Sequence, residues 1–396
     1  MKKLILHIGY GKTGSSALQT WFALNAQQLN KQGVNYAGIN DEAKAFQVNS
    51  GNGGLLLSFL NGEDVSNERL MEYYFGNLDC ALISSEALQS LGTDRAVNRD
   101  DLTRLLNFAQ KNRLDLRVIA FIRNIYNHNY SNYVQAVKRK GWCMTFEDWT
   151  DEKLNIYPIQ FFMALRKSVP VSLLNYDSNI NNLAPSFCRV ANIEYSNLLE
   201  MRRKKVNRSL THTELKTLQL YIESASEVGV DRIFIARKVS DHLVNNFPNV
   251  GYKTYYSKEV VQKIEKNFGS QISEFNKLSL EKFNFTISIL NDNKEEYLVG
   301  NDTDTEMSAS RARVIESLIA SVEEIGTFTL IKIFLKSAEH TSLRASIKLC
   351  CSLIIKRLAV QFVSVANQTS TFLFSFYSGG MCVLRRIRTK ILKLTR

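Results

Sequence analysis

An α/β fold, three layers around a central and mainly parallel sheet with a helical C-terminal extension, is what this 396-residue sequence predicts. Two observations predict it. Through the first half of the chain, short apolar runs of strand length alternate with amphipathic segments of helical length, the pattern of strand–helix–strand units. After Arg202 the strand-like runs stop, and apolar residues recur at three- and four-residue steps, the period of a helix that buries one face.

The first strand is Leu4–Ile8. Lys2-Lys3 before it gives a faint likeness to a secretory leader, but the apolar run is too short and leads straight into a glycine-rich turn. The other strands are Val34–Ala37, Cys80–Ser84, Arg117–Ile122 and Val171–Asn175. Helices are expected over Ala17–Gln32, Arg99–Lys111, Tyr126–Lys140 and Leu154–Ser168. Further on, Ser209 or Thr211 caps a helix over Glu214–Ser226, and Ser257–Leu280 forms another. Residues 1–285 are thus expected to form the main domain and the polar, acidic 286–310 a linker. Residues 311–396 make a basic, helical extension.

The composition, 45% hydrophobic and 22% charged, is that of a globular protein. The net charge of +12 is unevenly spread: Met307–Arg396 holds 14 Lys/Arg against four acids, which leaves the body near neutral. A field of this kind keeps a protein soluble or draws anionic partners such as phosphates, acidic glycans and lipid headgroups. Nucleic acid is not among the expected partners. Within the extension, Leu358–Leu384 carries no charge over 27 residues, enough to span a bilayer. The polar run Asn367–Thr371 would then lie at the costly midplane, so two shorter helices resting on protein or on a membrane surface are the preferred reading. Six cysteines show no CxxC pair and read as reduced thiols of a cytoplasmic protein, peripheral to the inner face of the membrane if the extension binds lipid.

Three segments carry chemistry. "HIGYGKTGSSALQ" is a strand, a glycine-rich turn and a helix start. Such a turn presents backbone N–H groups and the positive helix end to an anion. Gly9, Gly11 and Gly14 allow close approach, Ser15 and Ser16 offer hydroxyls, and Lys12 adds a charge. "CALISSEAL" is a strand whose end carries Glu86, a carboxylate able to take a proton from a hydroxyl or amine. "RVIAFIRNIYNHNYSNY" is a strand ending on Arg123, with Ser131 eight residues later in the next helix; an arginine fork there suits a phosphate. Read alone, each has a plain use as a turn, a cap or a surface side chain. His7, on the first strand, is a rival base whose alternation with Leu6 and Ile8 suits a core histidine.

In this order the three segments resemble the sulfotransferases that use 3′-phosphoadenosine-5′-phosphosulfate (PAPS), most closely the bacterial, carbohydrate-type members, over residues 1 to about 285. Their loop, of the type PKTGTT, is matched by Gly11-Lys12-Thr13-Gly14-Ser15-Ser16, and their Arg-x7-Ser motif by Arg123 and Ser131. The resemblance implies a P-loop-like fold and PAPS as sulfate donor without a metal. It implies a loop that binds the 5′-phosphosulfate, Arg123 and Ser131 on the 3′-phosphate, and Glu86 as base. Asn207 or Arg208, in "KVNRSL", would lie near the nucleotide. The acceptor would be a carbohydrate or glycolipid. Gly11 stands where the family has proline, serines replace paired threonines, and Ile125 follows Arg-Asn in place of proline. None of these departures removes a needed functional group. A small-molecule kinase and a nucleotide-binding membrane-surface scaffold are the competing expectations. The lysine standing before Gly14, where a GxxxxGK[ST] loop has it later, counts against the kinase.

Overall fold

The computed structural model describes residues 1–38, 51–92, 100–154, 156–201, 209–248, 250, 258–278, 304–321 and 326–339. Five parallel strands form one sheet: β1 (Lys3–Ile8), β2 (Val34–Asn35), β3 (Cys80–Ser85), β4 (Asp115–Ile122) and β5 (Val171–Asn175). Their order is β2-β3-β1-β4-β5. The helices between them are α1 (Ser15–Leu24), α2 (Ala26–Lys31), α3 (Gly54–Leu60), α4 (Asn67–Phe75), α5 (Asp100–Lys111), α6 (Ile125–Lys140), α7 (Phe146–Lys153) and α8 (Tyr157–Leu165). After β5 come α9 (Tyr176–Asn179), α10 (Leu183–Ala191), α11 (His212–Glu227), α12 (Arg232–Asn246), α13 (Lys258–Leu278), α14 (Asp304–Ala320) and α15 (Thr327–Glu339).

The described residues fall into two compact units, one drawn from 1–132, 146–204 and 256–299, the other from 133–145, 205–255 and 300–396. The first holds the sheet. Side chains of β1 are buried on both sides, as a parallel sheet requires. Ile5 joins Leu18, Phe22, Leu82, Phe121 and Phe187 in a core with α1 and α10. Leu4, Leu6 and Ile8, which alternate with it, are also fully buried.

The path from β1 to β2 leads to one edge, and the connections from β3 to β4 to β5 run the other way past β1. In such sheets ligands bind at the carboxyl ends of the strands where the direction changes. Here those ends belong to β3, β1 and β4. Ile8 is in register with Ser85, and His7 with Ile119 of β4. The residues that follow the three strands therefore meet at one edge of the sheet.

Because β2 pairs through only two residues, the end of β3 is held by other means. The Asn52 side chain accepts from Ser84 N at 2.7 Å, and its backbone N donates to Ser84 O at 2.9 Å. Gly51 bridges Ser85 at φ +82, and a Cβ there would fall 1.8 Å from the Ser84 carbonyl. This clamp stiffens the strand that leads to Glu86.

The second unit is helical. Thr211 caps α11 in a reciprocal box with Glu214. Glu214 is fully buried and accepts from Arg313 Nε of α14 at 2.6 Å, while Arg313 also donates to Ser310 at 2.9 Å. α12, α14 and α15 pack on α11.

Several expectations change. The helix read over Ala17–Gln32 is two, broken at Asn25, whose side chain donates to Trp21 O and accepts from Leu199 N. Residues 304–310, assigned to the linker, are the first turns of α14, because that helix has α11 and α12 to pack on. The same packing divides the chain otherwise than at 285: α11 and α12 group with α14, and α13 with the sheet. None of the described helices is long and apolar enough to cross a membrane. The uncharged stretch 358–384, with the rest of 340–396, lies outside the described residues, as do Asn207 and Arg208.

Candidate active site

The loop after β1 is braced from within. The Tyr10 carbonyl accepts from Thr13 N at 3.2 Å, from Thr13 Oγ1 at 2.5 Å and from Ser15 Oγ at 3.2 Å. Thr13 and Ser15 are buried, so their hydroxyls shape the loop and are turned away from solvent. Lys12 and Gly14 adopt left-handed conformations, φ 69 and 77. A lysine in that region is strained, a feature that concentrates at functional sites. Gly14 is the N-cap of α1, with no side-chain cap. The first-turn N–H groups of a helix have no intrahelical acceptor, and here they start where β1 ends. Ser16, in that turn, is half-buried, and Gly11 is half-exposed with open space where a Cβ would go.

Glu86 lies against this loop. A Cβ added to Gly9 would stand 3.0 Å from Glu86 Cγ and 2.8 Å from Ser15. Gln89, one turn on in the 3₁₀ turn Ala87–Gly92, donates its side-chain amide to Gly9 O at 2.6 Å and fastens the end of β3 to the loop. Burial pushes the Glu86 carboxyl above its ordinary range, and the charge of Lys12 pulls it back. The two charges therefore sense each other.

Arg123 follows β4. Its guanidinium sits over the Tyr176 ring at 5.5 Å, with Nε 3.6 Å from Asp177 Oδ1. Asp177 in turn accepts from Asn124 N at 2.7 Å. Tyr176 also abuts the loop, 3.1 Å from a Cβ placed on Gly14. Loop and arginine are thus joined through one aromatic ring. Ser131 lies on α6 and is half-buried.

His7 is not at this surface. It is 1% exposed, bonded through Nδ1 to Ser84 Oγ at 2.7 Å and enclosed edge-on by Phe22, Phe121 and Phe187. Burial drives its pKa down to about 3. Of the two candidate bases, Glu86 is the one placed beside Lys12.

His128 is the site residue that sequence reading missed. It lies in the first turn of α6, 3% exposed, with its ring 5.1 Å from Tyr10 and Nε2 2.9 Å from Asn132 Nδ2. Burial, then the charges of Arg123 and Lys12, lower its pKa to about 3. It therefore sits within the field of both cations. Its position after the Arg123 strand, facing back in the first helical turn, was the available signal.

Comparison with protein-family models, with curated proteins and with solved structures returned no match. The chemistry must be read from the site itself. Two cations and a helix start without a side-chain cap follow neighbouring strands, and a carboxylate with a raised pKa lies beside one of the cations. That arrangement suits binding a phosphate or sulfate ester while a neighbouring hydroxyl loses its proton. Among the described residues no group of three His, Cys, Asp or Glu side chains is placed to hold a metal.

Proposed function

We propose that this protein transfers a sulfuryl group from PAPS to a hydroxyl of an acceptor, a carbohydrate or glycoconjugate. The observation that carries the reading is the meeting of Glu86 with Lys12 at the ends of adjacent strands, with Arg123 beyond the next strand. The donor supplies an activated sulfate already bonded to phosphate. The left-handed turn, the uncapped start of α1 and the two cations fit its anionic groups.

Lys12, Ser16 and the first N–H groups of α1 would hold the phosphosulfate end, where they also stabilise charge left on the departing oxygen. Thr13 and Ser15 keep the loop in shape. Arg123, oriented by Asp177 and Tyr176, would bind the 3′-phosphate, with Ser131 two helical turns along. Glu86 takes the acceptor's proton as the new O–S bond forms and the old one breaks, which leaves adenosine 3′,5′-bisphosphate. Its raised pKa makes it a stronger base than an exposed carboxylate once ionised.

Transfer from radiolabelled PAPS to a panel of glycans tests this. Glu86→Gln and Lys12→Ala are expected to lower the rate by about 10²-fold or more. Wild-type transfer by Glu86→Gln would remove the assigned base, and no transfer by the wild type to any acceptor would remove the reaction.

A further inference from the structure

We propose that Tyr157, Gln89 and Tyr10 form the acceptor side of this site and select an uncharged ring-bearing hydroxyl compound, a neutral glycan, over an anionic one. This rests on the sulfuryl-transfer reading and adds the chemistry of the acceptor to it. The three residues come from different parts of the chain, and a series of contacts ties them to Glu86. Gln89 N donates to Glu86 O at 3.2 Å, and its side chain reaches Gly9 O as described. The Tyr157 hydroxyl, at the start of α8, donates to Gln89 O at 3.2 Å. Tyr10, from the loop itself, packs on Phe162 of α8 at 6.4 Å and senses the Tyr157 hydroxyl electrostatically. The 3₁₀ turn, α8 and the loop therefore form one wall beside the base.

The wall has a closed back and an open front. Tyr10, Phe161 and Phe162 are buried, whereas Tyr157, Gln89, Glu86 and Lys12 are all half-buried. Tyr157 is stacked on Phe161 at 5.9 Å and 24°, which fixes the ring that solvent reaches. An aromatic face held in this way suits the apolar C–H face of a sugar ring, and amide and phenol groups suit its hydroxyls. Tyr157, Gln89 and Tyr10 carry no positive charge, and the carboxylate of Glu86 stands next to them. An acidic acceptor would meet that carboxylate, and these three residues offer it no cation in compensation, a built-in repulsion.

The test uses the full chain saturated with adenosine 3′,5′-bisphosphate, so that binding is read without turnover. Methyl β-galactoside and methyl β-glucoside are titrated against the matching uronides by calorimetry. The neutral glycosides should bind at least about tenfold more tightly. Tyr157→Ala and the bulkier Tyr157→Leu should each weaken that binding by about tenfold, with affinity for the bisphosphate unchanged. Tyr157→Phe, which keeps the ring, should retain most of it. Unchanged glycoside affinity in Tyr157→Leu overturns the proposal. So does tighter binding of the uronides, or binding of neither class by bisphosphate-loaded wild type. Failure of the wild type to bind the bisphosphate at all overturns the sulfuryl-transfer reading, and this one with it.

Discussion

Glu86 is held between two opposing influences. Burial raises its pKa, and Lys12 lowers it by a smaller amount. A carboxyl whose folded pKa lies above its unfolded value favours the folded state most fully below the unfolded pKa. That contribution is lost as pH rises through the folded pKa. At neutral pH the ionised side chain therefore costs stability. Glu86→Gln should melt at a higher temperature than wild type at pH 7, and the gap should close as pH falls toward about 4, the ordinary glutamate range. Thermal melts across that interval check this; a lower melting temperature at pH 7 would show that the carboxylate is well paired. His7 and His128 show the opposite response to burial, both pressed toward about 3 and so neutral. A buried imidazole at that pKa is too weak a base to rival Glu86 at neutral pH.

At the scale of elements, the glycines of the loop are not equivalent. Gly9→Ala forces a methyl group into Ser15 and Glu86 and should cost about 1–3 kcal/mol. Gly11→Ala, with nothing within 4 Å of its added Cβ, should stay within about 0.5 kcal/mol. Urea denaturation of the two variants measures the difference, and equal losses would contradict the close packing of Glu86 on the loop. The strands were legible because a parallel strand buried on both faces is a continuous apolar run, and Leu4–Ile8 or Arg117–Ile122 is hard to read otherwise. Glu86 and Arg123 were legible because each ends such a run. What escaped depends on contacts distant in sequence. The break at Asn25 is set by Leu199, and the support of β3 by Asn52. The first turns of α14 form inside an acidic stretch because α11 and α12 offer a packing surface. Asp177 and Tyr157 carry no local pattern that would bring them to the loop.

For the molecule as a whole, the excess of positive charge toward the C-terminus left open whether residues beyond the sheet are an appendage. α14 is not one. Its Arg313 is the partner of the fully buried Glu214, and removing one member of such a pair costs about 3–5 kcal/mol. Arg313→Met should destabilise the helical unit by that amount, and adding Glu214→Gln should recover part of it. A near-neutral Arg313→Met in chemical denaturation would mean that α14 docks without this pair. Service of the loop, Glu86 and Arg123 in sulfuryl transfer is tested by binding of adenosine 3′,5′-bisphosphate to the full chain in EDTA. Saturable binding without Mg²⁺, lost in both Lys12→Ala and Arg123→Ala while the fold is retained, is the predicted result. Absence of binding, or binding of ATP with Mg²⁺ in its place, would contradict it.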